Sequence, residues 1–299
     1  MNDGEWSYWP APAKLNLFLH ITGRRDDGYH TLQTVFQILD WGDRIRLRLR
    51  TDGRIMRHDD VPGIAADDDL CIRAARLLQD RIGTSCGVDI GVTKQIPIGG
   101  GLGGGSSNAA SVLVALNELW SGELDVDSLA ELGLQMGADV PVFVRGHSAF
   151  AEGIGEKLTA IGLAERWYLI VDPCVHVPTA AQFQSSQLTR DSPATTISGF
   201  LAGESTCNAF QTLVRRQYPA VERALIWCEI RGDARLSGSG ASVFLPLCDA
   251  GQGSKFLAEL PADMRAVVAR GVNRSPLLDA VVGWRQAGKT GFGWDVAKR

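Results

Sequence analysis

The sequence predicts an α+β chain of two domains, and three observations lead there. Its 299 residues amount to about two domains at roughly 100 to 200 residues each. An apolar fraction of 45% suffices to fill two cores. Strand and helix periodicities occur together: residues 14–21 and 43–50 alternate with period two, whereas 107–120 forms a helical run free of Gly and Pro. The domain boundary is expected near residue 163, giving domains 1–163 and 164–278, with a Gly-rich tail over 279–299.

Composition removes several function classes. A formal charge of −4, with Lys and Arg scattered along the chain, offers no basic surplus for a phosphate backbone, so no nucleic-acid partner is expected. The six cysteines never fall in a C-x-x-C pair and the histidines show no i, i+4 spacing. Reduced thiols and no protein-held transition metal follow. No stretch reaches the ~18 apolar residues of a membrane span, and the N-terminal apolar run is interrupted by Lys14, Asn16 and His20. A cytoplasmic enzyme with no membrane partner is the expectation.

Within 14–21, Leu15, Leu17, Leu19 and Ile21 occupy one strand face, and Lys14, Asn16, Phe18 and His20 the other, so Lys14 and Asn16 stand side by side. Residues 43–50 place Ile45, Leu47 and Leu49 inward and four arginines outward, read as a solvated edge. A helix is predicted over 70–82 and a strand over 88–92. The buried helix 107–120 has Ser106 or Ser107 as its cap. A shorter helix over 128–136, a strand over 140–144, a hairpin at 152–156 and a strand at 168–172 follow. The Ser-, Thr-, Gly- and Pro-rich stretch 184–204 reads as a surface loop of the second domain.

Between strand and helix lies Gly99-Gly-Gly-Leu-Gly-Gly-Gly-Ser-Ser-Asn108, with six glycines in seven positions. Glycine lets backbone approach an anion, and the helix start supplies free N–H groups, so phosphate is the natural ligand. Two familiar nucleotide patterns compete on paper. Gly99-x-Gly101-x-x-Gly104 fits the dinucleotide pattern, but no strand ends in an acidic residue about 20 positions further on. Gly283 to Thr290 fits G-x-x-x-x-G-K-T, but the nine residues that remain cannot supply the helix and downstream strand of a working P-loop.

Three segments together resemble the GHMP small-molecule kinases: Pro12-Ala-Lys-Leu-Asn-Leu, Pro97-Ile-Gly-Gly-Gly-Leu-Gly-Gly-Gly-Ser-Ser-Asn, and Leu236-Ser-Gly-Ser-Gly-Ala-Ser-Val-Phe. Within that family, Ile21 to Gln33 and Gly137-Ala-Asp-Val-Pro-Val-Phe are similar to the kinases of the non-mevalonate isoprenoid pathway, whose acceptor is cytidine diphosphate methylerythritol. The resemblance implies a ribosomal-protein-S5-like N-terminal domain, a ferredoxin-like C-terminal domain, and ATP with Mg²⁺ as the phosphoryl donor. It implies Lys14 and Asp139 as the catalytic pair. Lys94, Pro97, Ile98, Gly99, Gly100, Gly101, Leu102, Gly103, Gly104, Gly105, Ser106 and Ser107 become the ATP cradle. Asn16, Tyr29, His30 and Phe183 become substrate contacts, the last three around cytosine. The residue types suit the chemistry: a carboxylate takes a hydroxyl proton, an ammonium steadies phosphoryl oxygens, and aromatic rings stack on a pyrimidine.

Each residue also has a plain structural reading: Asp139 as a turn former, Lys14 as an edge lysine, Asn16 as a satisfied polar group, Tyr29 and His30 as surface packing, Phe183 as core. Asp69 stands where the family commonly has Asn near the adenine, and Ser237 and Ser239 where Thr is frequent. Another GHMP kinase, acting on mevalonate, homoserine or a sugar, and a non-catalytic nucleotide sensor on the same fold both stay open at this point. Keeping both Lys14 and Asp139 speaks against the sensor.

Overall fold

Strands β1 (Ser7–Arg24) and β2 (His30–Arg50) form one long antiparallel hairpin on which the rest of the molecule is assembled. In the computed structural model, which describes residues 4–59 and 65–287, the expected strand 14–21 is the middle of β1, and 43–50 is the second half of β2. Register shifts at Pro12/Lys14 and Asn16/Leu19 interrupt the alternation, so Lys14, Leu15, Asn16 and Phe18 are all buried. The arginine face is not an edge. There β2 lies between β1 and β4 (Gly87–Thr93), with β3 (Ile55–Arg57) on the far side of β4 and α1 (Leu70–Ile82) joining β3 to β4 in the chain. Arg48 and Arg50 each reach buried Asp89 at 2.8 Å, and Arg46 and Arg48 cover the Trp6 ring.

Helix α1 occupies the predicted range. Asp69 caps it by accepting from the Cys71 N–H at 2.8 Å, and left-handed Gly83 ends it. Helix α2 (Gly104–Leu119) begins three residues before the predicted start, behind left-handed Gly103, and has no side-chain cap. The serines expected to cap it lie inside its first turn. Apolar on most faces, α2 is enclosed by α1, α3 (Val126–Leu134), α4 (Val140–Arg145) and the sheet. The run 140–144, predicted as a strand, is helix α4. Five apolar residues carry no period that separates strand from helix, and Pro141 in the first turn fits helix geometry and donates to no ladder. The hairpin β5 (Ala149–Glu152) and β6 (Lys157–Ala160) follows, with β5 added to β2.

The remaining elements are β7 (Trp167–Asp172), α5 (Thr179–Gln184), α6 (Ile197–Leu201), α7 (Gln211–Gln217), α8 (Pro219–Glu229), β8 (Arg235–Leu236), β9 (Val243–Leu247), α9 (Ala250–Ala258), β10 (Arg265–Val272) and α10 (Pro276–Gln286). Antiparallel β8, β9, β7 and β10 join the first sheet where Gly271 and Val272 pair with Leu39 and Ile38. One core lies under α1 to α4, another between β7, β9, α7 and α8. A small cluster, including Leu15, Leu39, Ile96, Leu102, Ile170 and Phe244, lies at the seam.

Two expectations change here. The stretch 184–204 does not stay with the second half: Ser192 N–H donates to the Ile21 carbonyl at 2.9 Å, Thr195 N–H donates to Gln33 Oε1, and the Phe200 ring lies 5.4 Å from that of Phe18. Polar composition marked it as loop without saying what it covers. The tail reading of 279 onward fails through residue 286. These residues belong to α10, which Ser275 caps, and Leu277, Ala280, Val281 and Trp284 are buried in the first core. Their i, i+3, i+4, i+7 spacing is a helical stripe obscured by neighbouring glycines. Gly283 lies within this helix, whereas Gly288, Lys289 and Thr290 lie outside the described residues. All six cysteines are free, and no helix among the described residues is long and apolar enough to cross a membrane.

Trp284 meets Trp9 at a ring separation of 5.6 Å and is 4% exposed. Trp284→Ala is expected to lower unfolding free energy by about 3–5 kcal/mol in urea titration; a loss below about 1 kcal/mol would mean that α10 contributes little to the first core.

Candidate active site

The cleft is built where five distant stretches of chain meet. It encloses about 550 Å³ and is lined by Lys14 and Asn16 of β1, the glycine loop, Asp139 ahead of α4, Phe183 of α5, and Gly238 and Ser239 between β8 and β9.

Lys14 is 3% exposed, and its ammonium has three oxygen partners: the Asn16 side-chain carbonyl, the Gly101 carbonyl at 3.1 Å, and Asp139 Oδ2 at 3.3 Å. These satisfy a charge that would be very unfavourable there alone. Asn16 is fixed from its other end, donating through Nδ2 to Thr34 Oγ1 at 2.9 Å. Asp139 occupies the N-cap position of α4, where a carboxylate ordinarily accepts from the helix's own N–H groups. It makes no such bond. Its backbone is already αR, and the carboxylate, about one-third exposed, is turned to Lys14 and the cleft.

The glycine loop is shaped by close approach. Gly99, Gly101 and Gly103 have φ of 70°, 75° and 74°, a region unfavourable for other residues. A Cβ on Gly101 would meet the Ser237 carbonyl oxygen at 2.1 Å, and one on Gly103 would meet Phe143 at 2.8 Å. The loop between β8 and β9 grips it from behind: Ser242 N–H donates to the Gly100 carbonyl at 3.0 Å and the Ser237 hydroxyl to that of Gly101 at 3.1 Å. Helix α2 thus opens on the cleft with Gly104, Gly105 and Ser106, whose N–H groups have no carbonyl one turn earlier within the helix. Lys94 pairs with buried Asp43 and lines the cleft beside this helix start. Pro97, Ile98 and Leu102 line it too. Ser106 reaches it, whereas the Ser107 hydroxyl is fully buried and donates to the Pro12 carbonyl at 2.6 Å.

At the other end, Phe183 and His30 stand with ring centroids 5.3 Å apart, and Phe183 packs edge-on against Phe210. His30 is buried, and Tyr29, in the turn between β1 and β2, is 62% exposed. The structure therefore gathers Lys14, Asn16, Asp139, Lys94 and the glycine loop around one cleft, brings His30 next to Phe183, and leaves Tyr29 exposed in its turn and outside the cleft lining. Sequence reasoning missed Thr34 and Thr179, and quoted Ser239 and Asn108 within motifs without giving them a contact; all four also line the cleft. The first follows from hairpin register, and Thr179 Oγ1 and Ser239 Oγ, 2.7 Å apart, meet only through tertiary folding. Burial beside Asp69 holds the Cys71 thiol well above its ordinary range, so this cysteine of the cleft wall is a neutral thiol.

This fold and cleft are those of a GHMP kinase: residues 69–147 match the family model described as the GHMP kinases N terminal domain. The chain is 58% identical, over 93% of its length and 95% of the relative's, to the 4-diphosphocytidyl-2-C-methyl-D-erythritol kinase of Xanthomonas axonopodis pv. citri (strain 306). A crystal structure of 4-(cytidine 5'-diphospho)-2C-methyl-D-erythritol kinase superposes with a TM-score of 0.76 at 31% identity, covering 90% of this chain and all of that one. A mevalonate kinase structure, at 18% identity and a TM-score of 0.65, covers 91% of this chain and all of its own and shares the fold. The chain belongs to the 4-diphosphocytidyl-2-C-methyl-D-erythritol kinases.

Gly101→Ala tests the grip on the loop. Backbone on both sides of the new methyl cannot give way, so a stability loss of about 1–3 kcal/mol is expected by denaturant titration. Retention of wild-type stability would show that the two loops separate freely.

Proposed function

We propose that this enzyme moves the γ-phosphoryl group of ATP to the 2-hydroxyl of 4-diphosphocytidyl-2-C-methyl-D-erythritol, with Asp139 as the base and Lys14 beside it. The observation that carries this reading is the 3.3 Å contact between the Lys14 ammonium and the Asp139 carboxylate, in a cleft that also receives the start of α2. Asp139 accepts the hydroxyl proton as the oxygen attacks phosphorus. Lys14 stabilises the carboxylate before transfer and the charge on the phosphoryl oxygens during it. Asn16, anchored on Thr34, is placed to bind the acceptor's hydroxyls. Phosphoryl transfer depends mainly on positioning and charge, and a rigid loop of backbone N–H groups supplies both without reorganising.

The free N–H groups of Gly104, Gly105 and Ser106 suit the triphosphate, and Lys94 adds a positive charge beside them. Magnesium fits this donor set, because it keeps several waters and binds chiefly to phosphate oxygens with few protein ligands. Ser106, which lines the cleft, is the serine that would hold it, because the Ser107 hydroxyl is buried on the Pro12 carbonyl. When bound, the metal neutralises phosphate charge. His30 and Phe183, with Tyr29 from the adjoining turn, form the pocket for cytosine, which holds the reacting hydroxyl in place from a distance.

Asp139→Asn is expected to lower kcat by roughly 10²- to 10⁴-fold while ATP binding persists. Activity within tenfold of wild type would remove Asp139 as the base. Tyr29→Ala should lower kcat/KM for the cytidylyl substrate by roughly 5- to 150-fold, and free methylerythritol should be a much poorer acceptor. Equal use of the two acceptors by the unmodified enzyme would refute the cytosine pocket.

A further inference from the structure

Arg190, in the stretch between α5 and α6, has no part in the reaction described above, yet it makes four hydrogen bonds that all concern the far end of the cleft. Its Nε donates to His30 Nε2 at 3.0 Å. Its terminal nitrogens donate to the carbonyls of Leu188 at 3.2 Å, Phe183 at 3.1 Å and Ser185 at 2.7 Å. One guanidinium therefore ties the first residue of β2 to the end of α5. These are the two elements that carry His30 and Phe183, whose rings are 5.3 Å apart.

A guanidinium only donates and does not lose its proton, so Nε2 of His30 must be the unprotonated nitrogen and the ring proton sits on Nδ1. Imidazolium has no acceptor to offer and would stand against a cation. The groups facing His30 are Arg190 and Arg24, both positive, and burial with these two charges lowers its proton affinity below the ordinary histidine value.

We propose that Arg190 is a positioning residue that clamps His30 in its neutral Nδ1–H form and fixes the separation of His30 and Phe183 for the cytidine half of the substrate, the clamp opening when His30 takes up a proton. This rests on the cytosine pocket proposed above. The sign is set by the lowered affinity: the clamp is intact at neutral pH and is lost as pH falls below the usual histidine range.

The test uses Arg190→Gln and Arg190→Lys in the full chain. With the cytidylyl substrate, Arg190→Gln should raise KM roughly tenfold or more, the loss of a charge-assisted bond, with KM for ATP unchanged. Arg190→Lys, which keeps a charge but not the fork of donors, should fall between Arg190→Gln and the unmodified enzyme. The ring proton resonances of His30, followed by NMR against pH without any substrate, should titrate at higher pH in Arg190→Gln than in the unmodified enzyme. An unmoved His30 titration overturns the clamp whatever the substrate turns out to be. A shifted titration with unchanged KM for the cytidylyl substrate overturns the role in binding, and if the unmodified enzyme also uses free methylerythritol equally well, the failure lies with the cytosine pocket itself.

Discussion

A buried ammonium has to find oxygens, and the requirement falls here on Lys14. Its three partners come from the same strand, from the glycine loop some ninety residues on, and from the turn before α4 later still. Any arrangement that left one of these segments elsewhere would strand a charge in a nearly dry site, at a cost of several kcal/mol. The ion pair is thus weak as a source of net stability and strong as a specification: it permits one relative placement of β1, loop and α4. The grip of the Ser237 to Ser242 loop then holds the carbonyls of the glycine loop on one side, so that the start of α2 faces the open side.

Local patterns were legible where one signal was enough. Helix α1 was readable to the residue because its apolar stripe is bounded by Asp69 and Gly83, which have well-defined capping geometry. The glycine loop was readable because few structural needs call for so many glycines before a helix, and Lys14 and Asn16 were readable as neighbours on one strand face, although bulges in β1 bury the other face as well. The remaining candidates, Asp139 and the residues assigned to cytosine, came from the family motifs alone.

What stayed hidden depended on contacts remote in sequence. A run such as Val140 to Val144 has no period, and only the enclosure by α2 and α3 decides that it coils. The arginines of β2 looked like an edge because the strand that covers them, β4, lies about forty residues downstream and presents a buried aspartate to them. Arg190 sits in a polar stretch that no periodicity marks, and its partner His30 is 160 residues away. Tyr29 and His30 are adjacent in sequence, yet one is exposed and the other enclosed, a difference set by the turn and not by composition.

The last helix has a consequence for how the chain is made. Leu277, Ala280, Val281 and Trp284 complete a core whose other members begin at Trp9. During synthesis, at about 5–20 residues per second, everything between those two points leaves the ribosome before the first core can close. The amino-terminal half therefore cannot finish first and wait. A chain truncated ahead of Leu277 keeps an unsealed apolar face on that first core, and is a substrate for chaperones and proteases rather than a shorter enzyme.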